Sequence, residues 1–379
     1  MRGRSACFVA TAVLLLCLAV LAPPTAAAPG APAAPLPKAY VLVDADTGAI
    51  LAQQDARTLR SPASTIKLLT ALIASQRLEP TDPIPISPAA EAMPALKINV
   101  KAPQVWAYEH LMRAMMMVSA NDAAVALAEK VGGGTLDGYV QIANETAARL
   151  GLADNPILND PTGLDDQFSN KGGDRISPRD LAIIARAVLA SPELMAIINT
   201  RDYNFTGGDL LPHHLPNHNL FLDLYPGATG LKTGATDLAG RTFVGSATRG
   251  GRTMVAVVFD AVDSYGSAAA LLDQGFNTPV SAQVNLEHLP PVVPDAAAPP
   301  PPPTSAPEVV SAVSGPDASK SFFDSTWFAL LVLVVGLLPL RALRRRVIAR
   351  SIRTDEWLDD DLPPVRERRR PKHLATSRS

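Results

Sequence analysis

Three short motifs carry the side chains of this sequence that could do chemistry. The first is Ser64-Thr65-Ile66-Lys67, in which the serine and the lysine, three residues apart, lie on one side of a helix. A serine hydroxyl is a weak nucleophile without a nearby base, and a lysine can be that base where apolar surroundings lower its pKa. The run LLTALIA at 68–74 supplies such surroundings. The motif predicts a serine activated by a buried lysine; a lysine whose stem packs while its ammonium reaches solvent is the alternative.

The second and third motifs lie further along the chain. SAN at 119–121 falls where one predicted helix stops and the next begins, so its polar side chains either belong to a site or cap the second helix. KTG at 232–234 falls on a predicted strand among small residues, where a glycine lets a ligand approach the backbone closely, and a turn is the alternative. Each motif is weak by itself, and their order and placement carry the prediction.

The elements that must position these motifs follow from hydrophobic periodicity and turn residues. The stretch at 39–54 predicts a hairpin, and antiparallel strands with a tight Gly-Gly-Arg turn are predicted between 228 and 261. Helices are predicted at 61–75, on both sides of 119–121, at 135–150, at 178–200 and at 264–276. Strands at both ends and helices in the middle predict an antiparallel sheet built from both chain ends, with helices packed on it.

The order of the motifs, S-x-x-K, S-x-N and K-T-G, is typical of penicillin-binding proteins and class A β-lactamases. Between about residues 39 and 276 the chain resembles the D-alanyl-D-alanine carboxypeptidases, which are low-molecular-mass penicillin-binding proteins. The segments that carry this resemblance are SPASTIKLLTAL, VSANDAAVALAE, NDPTGLDD, SPRDLAIIAR and PGATGLKTGATDLAGRTFVGSATRGGR. The resemblance implies an α/β fold of the α+β type, the β-lactamase/transpeptidase-like fold, with helices on both faces of the antiparallel sheet.

The resemblance also implies the catalytic residues. Ser64 would be the nucleophile, Lys67 the base that takes its proton, and Ser119 the relay that passes a proton to the leaving D-alanine. The backbone N–H groups of Ser64 and Ala235 would form the oxyanion hole, which stabilises negative charge on the carbonyl oxygen of the substrate.

The implied substrate-binding residues come from the second and third motifs. Asn121 would hold the amide side of the substrate, Lys232 would keep the site positive, and Thr233 would bind the terminal carboxylate. The full implied set is Asn121, Lys232, Thr233, Gly234 and Ala235.

The activity that the resemblance implies is removal of the terminal D-alanine from peptidoglycan stem pentapeptides that end in D-Ala-D-Ala, through an acyl-enzyme on Ser64. β-Lactams would acylate the same serine, and no cofactor is implied. D,D-endopeptidase and transpeptidase activities share this machinery and stay open. A class A β-lactamase is an alternative, but the counterpart of its E-x-x-L-N pattern is NPILN, with Asn155 in place of the glutamate. A non-catalytic wall-binding protein of the same fold is the third interpretation.

Two other groups of side chains could bind a ligand. Members of the family often carry an arginine after the last inner strand, but VVFDAVDSYG lacks one, which leaves Arg241, Arg249 and Arg252 as candidates for the carboxylate. The histidines of HHLPNH at 213–218 could suggest a metal site, yet no fourth ligand or acidic partner stands out. The resemblance places that segment in a loop leading to the strand of the third motif, and we predict no metal.

Charge separates the chain into a body and a tail. Residues 35–288 hold 19 lysines and arginines against 26 acidic residues, a net charge of −7, which argues against nucleic acid as the main partner. Residues 341–379 hold 12 basic and 6 acidic residues, a net charge of +6. A basic tail directly after an apolar run is typical of the cytoplasmic side of a membrane anchor.

The two ends of the chain predict secretion and membrane anchoring. Residues 1–27, which contain both cysteines, predict a cleaved signal peptide, and 28–37 a disordered lead-in. The peptidase domain is predicted at 38–288, followed by a Pro-rich extracytoplasmic spacer at 289–321, a membrane helix at 322–340 and a basic, disordered cytoplasmic tail at 341–379. For the N-terminal apolar segment the alternative is an uncleaved anchor helix, and for 322–340 it is a helix in the protein core. The expected location is the cell membrane, crossed once, with the peptidase domain outside.

Overall fold

An antiparallel sheet joins the two ends of the folded region. The computed structural model describes residues 36–165 and 167–292. The strands within them are β1 (Ala39–Asp44), β2 (Ile50–Gln54), β3 (Pro83–Pro85), β4 (Val105–Ala107), β5 (Asp202–Thr206), β6 (Pro212–Pro216), β7 (Ala228–Thr236), β8 (Gly240–Arg249) and β9 (Arg252–Ala261). Five of them form the central sheet in the order β2-β1-β9-β8-β7, and the other four form two two-stranded ladders, β3 with β4 and β5 with β6.

Most of the helices lie in the middle of the chain, between β2 and β7. The α-helices are α1 (Lys67–Ser75), α2 (Pro88–Glu91), α3 (Tyr108–Met117), α4 (Asn121–Val131), α5 (Leu136–Leu150), α6 (Pro178–Leu189), α7 (Pro192–Ile198), α8 (Phe221–Leu224) and α9 (Ser264–Asn277). Short 3-10 helices occupy Ala63–Ile66, Asn170–Gly172 and Val280–Gln283.

Both faces of the central sheet are covered. Strand β1 pairs with β2 and with β9, and its side chains alternate between two apolar clusters. Val41 and Val43 belong to the larger cluster, whereas Leu42 packs with Phe243 and Met254 in the second. Helix α9 contributes residues to the second cluster and packs on β8 and β9. Helix α6 contributes residues to the larger cluster and packs on β9 and β1. The predicted sheet from both chain ends, with helices on both faces, is confirmed.

Helix α1 lies at the centre of the helical layer. Each of its residues from Lys67 to Ala74 is buried, and it contacts α3, α4, α5, α6 and α7. A helix with apolar residues on nearly every side has no face to present to water. The first turn of α1 therefore lies inside the protein.

The segment predicted as one helix at 178–200 forms two helices. α6 ends at Leu189, and the hydroxyl of Ser191 caps α7 by accepting a hydrogen bond from the Leu194 N–H at 3.3 Å. Pro192 takes the first position of α7, where its missing N–H costs nothing, but it cannot continue the helix before it. The axes of the two helices differ by 101°.

Among the described residues no single helix has the length and apolar composition needed to cross a membrane, and α6 with α7 passes such a test only as a bent pair. The predicted signal peptide, membrane helix and cytoplasmic tail lie outside the described residues, as do most of the lead-in and the spacer.

The β5–β6 hairpin is an element that the sequence patterns did not predict. It contains two of the three histidines expected in a loop: His213 stacks on Phe205 at 5.1 Å between ring centroids, and His214 pairs with Asp202. The proline at each end of β6 conceals the strand pattern, because proline is rare within strands. The hairpin packs against Trp106 of β4.

Candidate active site

Ser64 and Lys67 lie at the start of helix α1. Ser64 belongs to the 3-10 turn Ala63–Ile66, which continues directly into α1, whose first residue is Lys67. One helical turn separates the two side chains, and the Lys67 Nζ lies 2.9 Å from the Ser64 Oγ. Lys67 is 0% exposed, so the alternative of a solvated ammonium is wrong.

Two more oxygens surround the Lys67 Nζ. It donates to the Asn121 Oδ1 at 2.8 Å and to the Thr162 carbonyl oxygen at 2.6 Å. A neutral amine has two N–H groups and one lone pair. With these two oxygens accepting the N–H groups, the lone pair is left for the proton of the Ser64 hydroxyl. The geometry suits a neutral lysine that takes a proton from serine.

The electrostatics of the site favour that neutral form. Burial moves the pKa of Lys67 well below its usual value, and the nearby charge of Lys232 lowers it further. The carboxylates of Asp160, Asp122 and Asp174 act in the opposite direction and have the smaller effect. Desolvation is therefore the largest influence on the pKa of this lysine.

The second motif links α3 to α4. Ser119 has a left-handed backbone, with φ of 61°, and is 5% exposed. Two residues later, Asn121 accepts from Lys67 through its Oδ1 and donates from its Nδ2 to the Ala95 carbonyl oxygen at 3.3 Å. The N-cap residue of α4 is Ala120, and no side chain caps that end. Capping, the alternative role for this motif, is wrong, and its Asn121 faces the Lys67 amine.

The third motif lies on β7, the edge strand of the central sheet. Lys232 is 2% exposed, and its Nζ donates to the Thr233 carbonyl oxygen at 3.1 Å. Burial lowers the pKa of Lys232 to about 7. The following residues come to the surface: Thr233 is partly exposed and Ala235 is exposed. The strand thus presents a buried amine that titrates near neutral pH, followed by accessible residues.

Gly234 brings β7 against the turn that holds Ser64. A β-carbon added to Gly234 would lie 2.9 Å from the Ser64 backbone nitrogen and 3.1 Å from that of Thr65. On the next strand, the Thr242 hydroxyl donates to the Pro62 carbonyl oxygen at 2.9 Å. The close approach explains why a glycine stands here, and it places the Ser64 N–H beside β7.

A loop at 159–165 closes the other side of the site. Asp160 folds this loop by accepting hydrogen bonds from the N–H groups of Thr162 at 2.7 Å and Gly163 at 2.9 Å. This turn directs the Thr162 carbonyl oxygen to Lys67. Gly163 has φ of 82°, and a β-carbon there would lie 1.9 Å from the Ala63 carbonyl oxygen. The sequence patterns missed this part of the site, because its contact to Lys67 is made by a backbone carbonyl.

A histidine of the segment 213–218 lies near the third motif. The backbone N–H of His218 donates to the carbonyl oxygen of Met117 at 2.9 Å, and Met117 stands two residues before Ser119. Burial and the charge of Lys232 lower the pKa of His218 to about 4. Within the part of the chain that the structure describes, no three His, Cys, Asp or Glu side chains form a group that could hold a metal ion.

The three candidate arginines are divided between the two ends of strands β7 to β9. Arg241 is opposite Ala235 in the β7–β8 register. Arg249 and Arg252 are opposite each other beside the β8–β9 turn, at the other end of these strands. Of the three, Arg241 is the one near the third motif.

Comparison with known proteins places the whole arrangement in a family. The family model for D-alanyl-D-alanine carboxypeptidases, peptidase family S11, matches residues 25–263. The chain belongs to this D-alanyl-D-alanine carboxypeptidase family. It is therefore a serine peptidase, and the fold predicted from the resemblance agrees with the family.

Individual relatives support this assignment. The chain is 36% identical over 244 residues to D-alanyl-D-alanine carboxypeptidase DacB2 of Mycobacterium tuberculosis, covering 62% of this chain and 81% of the relative. It is 29% identical to DacF of Bacillus subtilis over 59% of this chain, but spans only 57% of that longer relative. A crystal structure of a D-alanyl-D-alanine carboxypeptidase from M. tuberculosis superposes with a TM-score of 0.62 at 31% identity, covering 69% of this chain and 98% of that one.

Proposed function

We propose that this protein is a D-alanyl-D-alanine carboxypeptidase that removes the terminal D-alanine from peptidoglycan stem pentapeptides through an acyl-enzyme on Ser64. The observation that carries the proposal is the contact between a fully buried Lys67 amine and the Ser64 hydroxyl at 2.9 Å. Membership of the carboxypeptidase family supports the choice of substrate.

Acylation begins with proton transfer from the Ser64 Oγ to the Lys67 Nζ. The oxygen attacks the carbonyl carbon of the penultimate D-alanine, and the new C–O bond turns the carbonyl oxygen into an oxyanion. The N–H groups of Ser64 and Ala235 stabilise this oxyanion. When the C–N bond breaks, the proton held by Lys67 passes through Ser119 to the leaving amine of the terminal D-alanine.

Deacylation uses the same groups in reverse. Water replaces the departed D-alanine and gives a proton to the same base as it attacks the ester. The C–O bond to Ser64 then breaks, and the serine oxygen regains its proton. A free carboxylic acid and the resting enzyme result.

The terminal carboxylate of the substrate needs a positive partner in an acidic protein. In this proposal Lys232 supplies that charge, and the hydroxyl of the neighbouring, partly exposed Thr233 donates to a carboxylate oxygen. Arg241 lies at the same end of the sheet and can add to the field there. Asn121 holds the amide side of the substrate through its side chain.

β-Lactams acylate Ser64 in this proposal and leave slowly. Efficient β-lactam hydrolysis is disfavoured, because the position of the required glutamate is occupied by Asn155, which is exposed. We also propose that the predicted signal peptide and membrane helix hold the peptidase domain outside the cell membrane, where peptidoglycan is accessible.

A fluorescent penicillin tests the proposal on the full-length protein in detergent. We expect a stable covalent adduct in the wild type, no adduct in Ser64→Ala, and a normal adduct in Ser75→Ala, a serine at the other end of the same helix. D-Alanine release from a stem pentapeptide should depend on Ser64 in the same way. A wild type that forms no adduct and releases no D-alanine contradicts the proposal, and rapid turnover of the penicillin indicates a β-lactamase instead.

A further inference from the structure

We propose that Asp165 is a positioning residue that sets the separation of the two N–H groups of the oxyanion hole. The inference rests on the proposed function, in which those groups belong to Ser64 and Ala235. They lie on different elements, a 3-10 turn and an edge strand, so their separation depends on contacts between these elements.

The Asp165 carboxylate joins the two elements directly. Its Oδ2 accepts a hydrogen bond from the Ser61 hydroxyl at 2.6 Å and one from the Thr236 hydroxyl, also at 2.6 Å. Ser61 stands three residues before Ser64, and Thr236 directly follows Ala235. One carboxylate oxygen therefore connects the segment just before Ser64 with the end of β7.

The hydrogen-bond roles of the Thr236 hydroxyl are determined by its neighbours. Its Oγ1 accepts from the Ala239 N–H at 3.0 Å, which leaves its proton for Asp165. Both hydroxyls thus donate to one carboxylate oxygen, and hydrogen bonds to an ionised acceptor are the short, strong kind. A neutral amide oxygen at the same place would hold the two hydroxyls less firmly.

Two other contacts between the Ser64 turn and the sheet lie on the opposite side of Ala235. Gly234 approaches the Ser64 turn closely, and Thr242, which is opposite Gly234 in the β7–β8 register, donates to the Pro62 carbonyl oxygen. Asp165 is the described contact that restrains the strand just after Ala235. It belongs to the loop that also carries the Thr162 carbonyl oxygen, which accepts from Lys67. One loop thus contacts the base through Thr162 and the oxyanion hole through Asp165. Because Asp165 makes no hydrogen bond to the Lys67 amine in the described structure, we expect a change there to act mainly on the oxyanion hole.

The test compares Asp165→Asn with the wild type, both as full-length protein reacting with a fluorescent penicillin. We expect the acylation rate constant to fall about 10- to 100-fold, because misplacing one oxyanion-hole donor by a fraction of an ångström removes much of its effect. Ser61→Ala and Thr236→Val, each of which breaks one of the two hydrogen bonds, should give smaller losses. Asp273→Asn is the matched control, since that carboxylate accepts the Tyr225 hydroxyl at 2.7 Å on the other face of the sheet.

Two readouts separate positioning from general destabilisation. Hydrogen bonds to an ester carbonyl lower its stretching frequency, so the infrared band of the Ser64 penicilloyl ester should move to higher wavenumber in Asp165→Asn. The acid limb of the acylation–pH profile, which reports Lys67, should stay where it is. Melting temperatures show whether each variant is folded, and if Asp165→Asn does not fold, Ser61→Ala and Thr236→Val decide the question.

The outcomes distinguish this inference from the proposed function. If the wild type forms no Ser64 adduct, the proposed function fails and the inference with it. If the wild type reacts and folded Asp165→Asn reacts equally fast with an unmoved carbonyl band, the inference alone is overturned. A loss of rate accompanied by a shifted acid limb also overturns it, because the carboxylate would then act through Lys67.

Discussion

Binding of the substrate carboxylate should weaken as Lys232 loses its proton. Burial lowers the pKa of this lysine to about 7, so in the free protein it is half protonated near neutral pH. Only the ammonium attracts a carboxylate strongly. We therefore expect full affinity for a peptide ending in D-Ala-D-Ala below pH 7 and a progressive loss above it.

The size of this loss follows from the pKa. If only the protonated form binds, the dissociation constant rises about tenfold per pH unit above 7, or about 100-fold between pH 6 and pH 9. The bound carboxylate in turn raises the pKa of Lys232, because it stabilises the ammonium. Binding above pH 8 should thus take up close to one proton per peptide.

Calorimetry on the full-length Ser64→Ala variant measures both quantities, since the peptide binds without reacting. Titrations at several pH values give the affinity, and titrations in buffers of different ionisation enthalpy give the proton uptake. The same peptide with a C-terminal amide should show little pH dependence. In a Lys232→Arg background the affinity should stay level up to pH 9, because arginine keeps its charge.

Two results would refute this reasoning. Equal affinity at pH 6 and pH 9 would show that the charge of Lys232 does not hold the carboxylate. An alkaline loss that persists in Lys232→Arg would assign the titration to another group, with Lys67 the first candidate.

Two further predictions concern glycines of the site. Gly234→Ala places a β-carbon 2.9 Å from the Ser64 nitrogen. It should slow penicillin acylation about 10- to 100-fold and lower the free energy of unfolding by about 1–3 kcal/mol. Stopped-flow fluorescence measures the rate and denaturant titration the stability, and an unchanged acylation rate would contradict the close approach. Gly163→Ala should yield no stable folded protein, because its β-carbon would lie 1.9 Å from the Ala63 carbonyl oxygen. Gly172 has the same φ of 82° but open space around it, so Gly172→Ala should lower the free energy of unfolding by only about 1–2 kcal/mol. Equal losses in the two variants would show that backbone strain, and not collision, determines the cost of a side chain in this loop.

The sequence predicts the first motif well, because its chemistry is local. Ser64 and Lys67 lie one helical turn apart, so a helix is enough to bring their side chains together. The apolar run after Lys67 predicts its burial, and burial lowers the pKa of the amine. Spacing along one element thus contains most of the information about this pair.

The sequence predicts much less about the groups that reach the motif from elsewhere. The Thr162 carbonyl oxygen has no signature of its own, since every residue carries a carbonyl, and its direction depends on the turn that Asp160 forms. Asp165 is one more acidic residue in NDPTGLDD until the fold brings Ser61 and Thr236 to it. Contacts between distant parts of the chain depend on tertiary packing, which periodicity does not report.

The two errors in predicted elements have different causes. At 178–200 the apolar pattern continues through Pro192, although the local signal for a break, Ser191 followed by Pro192, is present in the sequence. The β5–β6 hairpin, in contrast, depends on tertiary packing: His213 stacks on Phe205, and both rings meet the edge or face of Trp106, which belongs to β4 far earlier in the chain.

In the proposed mechanism the two buried lysines of the site act in opposite protonation states, and their surroundings determine which one is neutral. The carboxylates of Asp160, Asp122 and Asp174 pull the pKa of Lys67 upwards, yet each of them accepts hydrogen bonds from backbone N–H groups. Burial also raises the pKa of Asp122 and of Asp174, which reduces the negative charge that these two side chains carry near Lys67. Desolvation acts on the amine itself and is the larger effect, and the charge of Lys232 adds to it. In the proposed mechanism the substrate carboxylate contacts Lys232, whereas within the described part of the chain no carboxylate is hydrogen-bonded to the Lys67 amine. Binding of the substrate should therefore favour the proton on Lys232 and leave Lys67 free to act as the base.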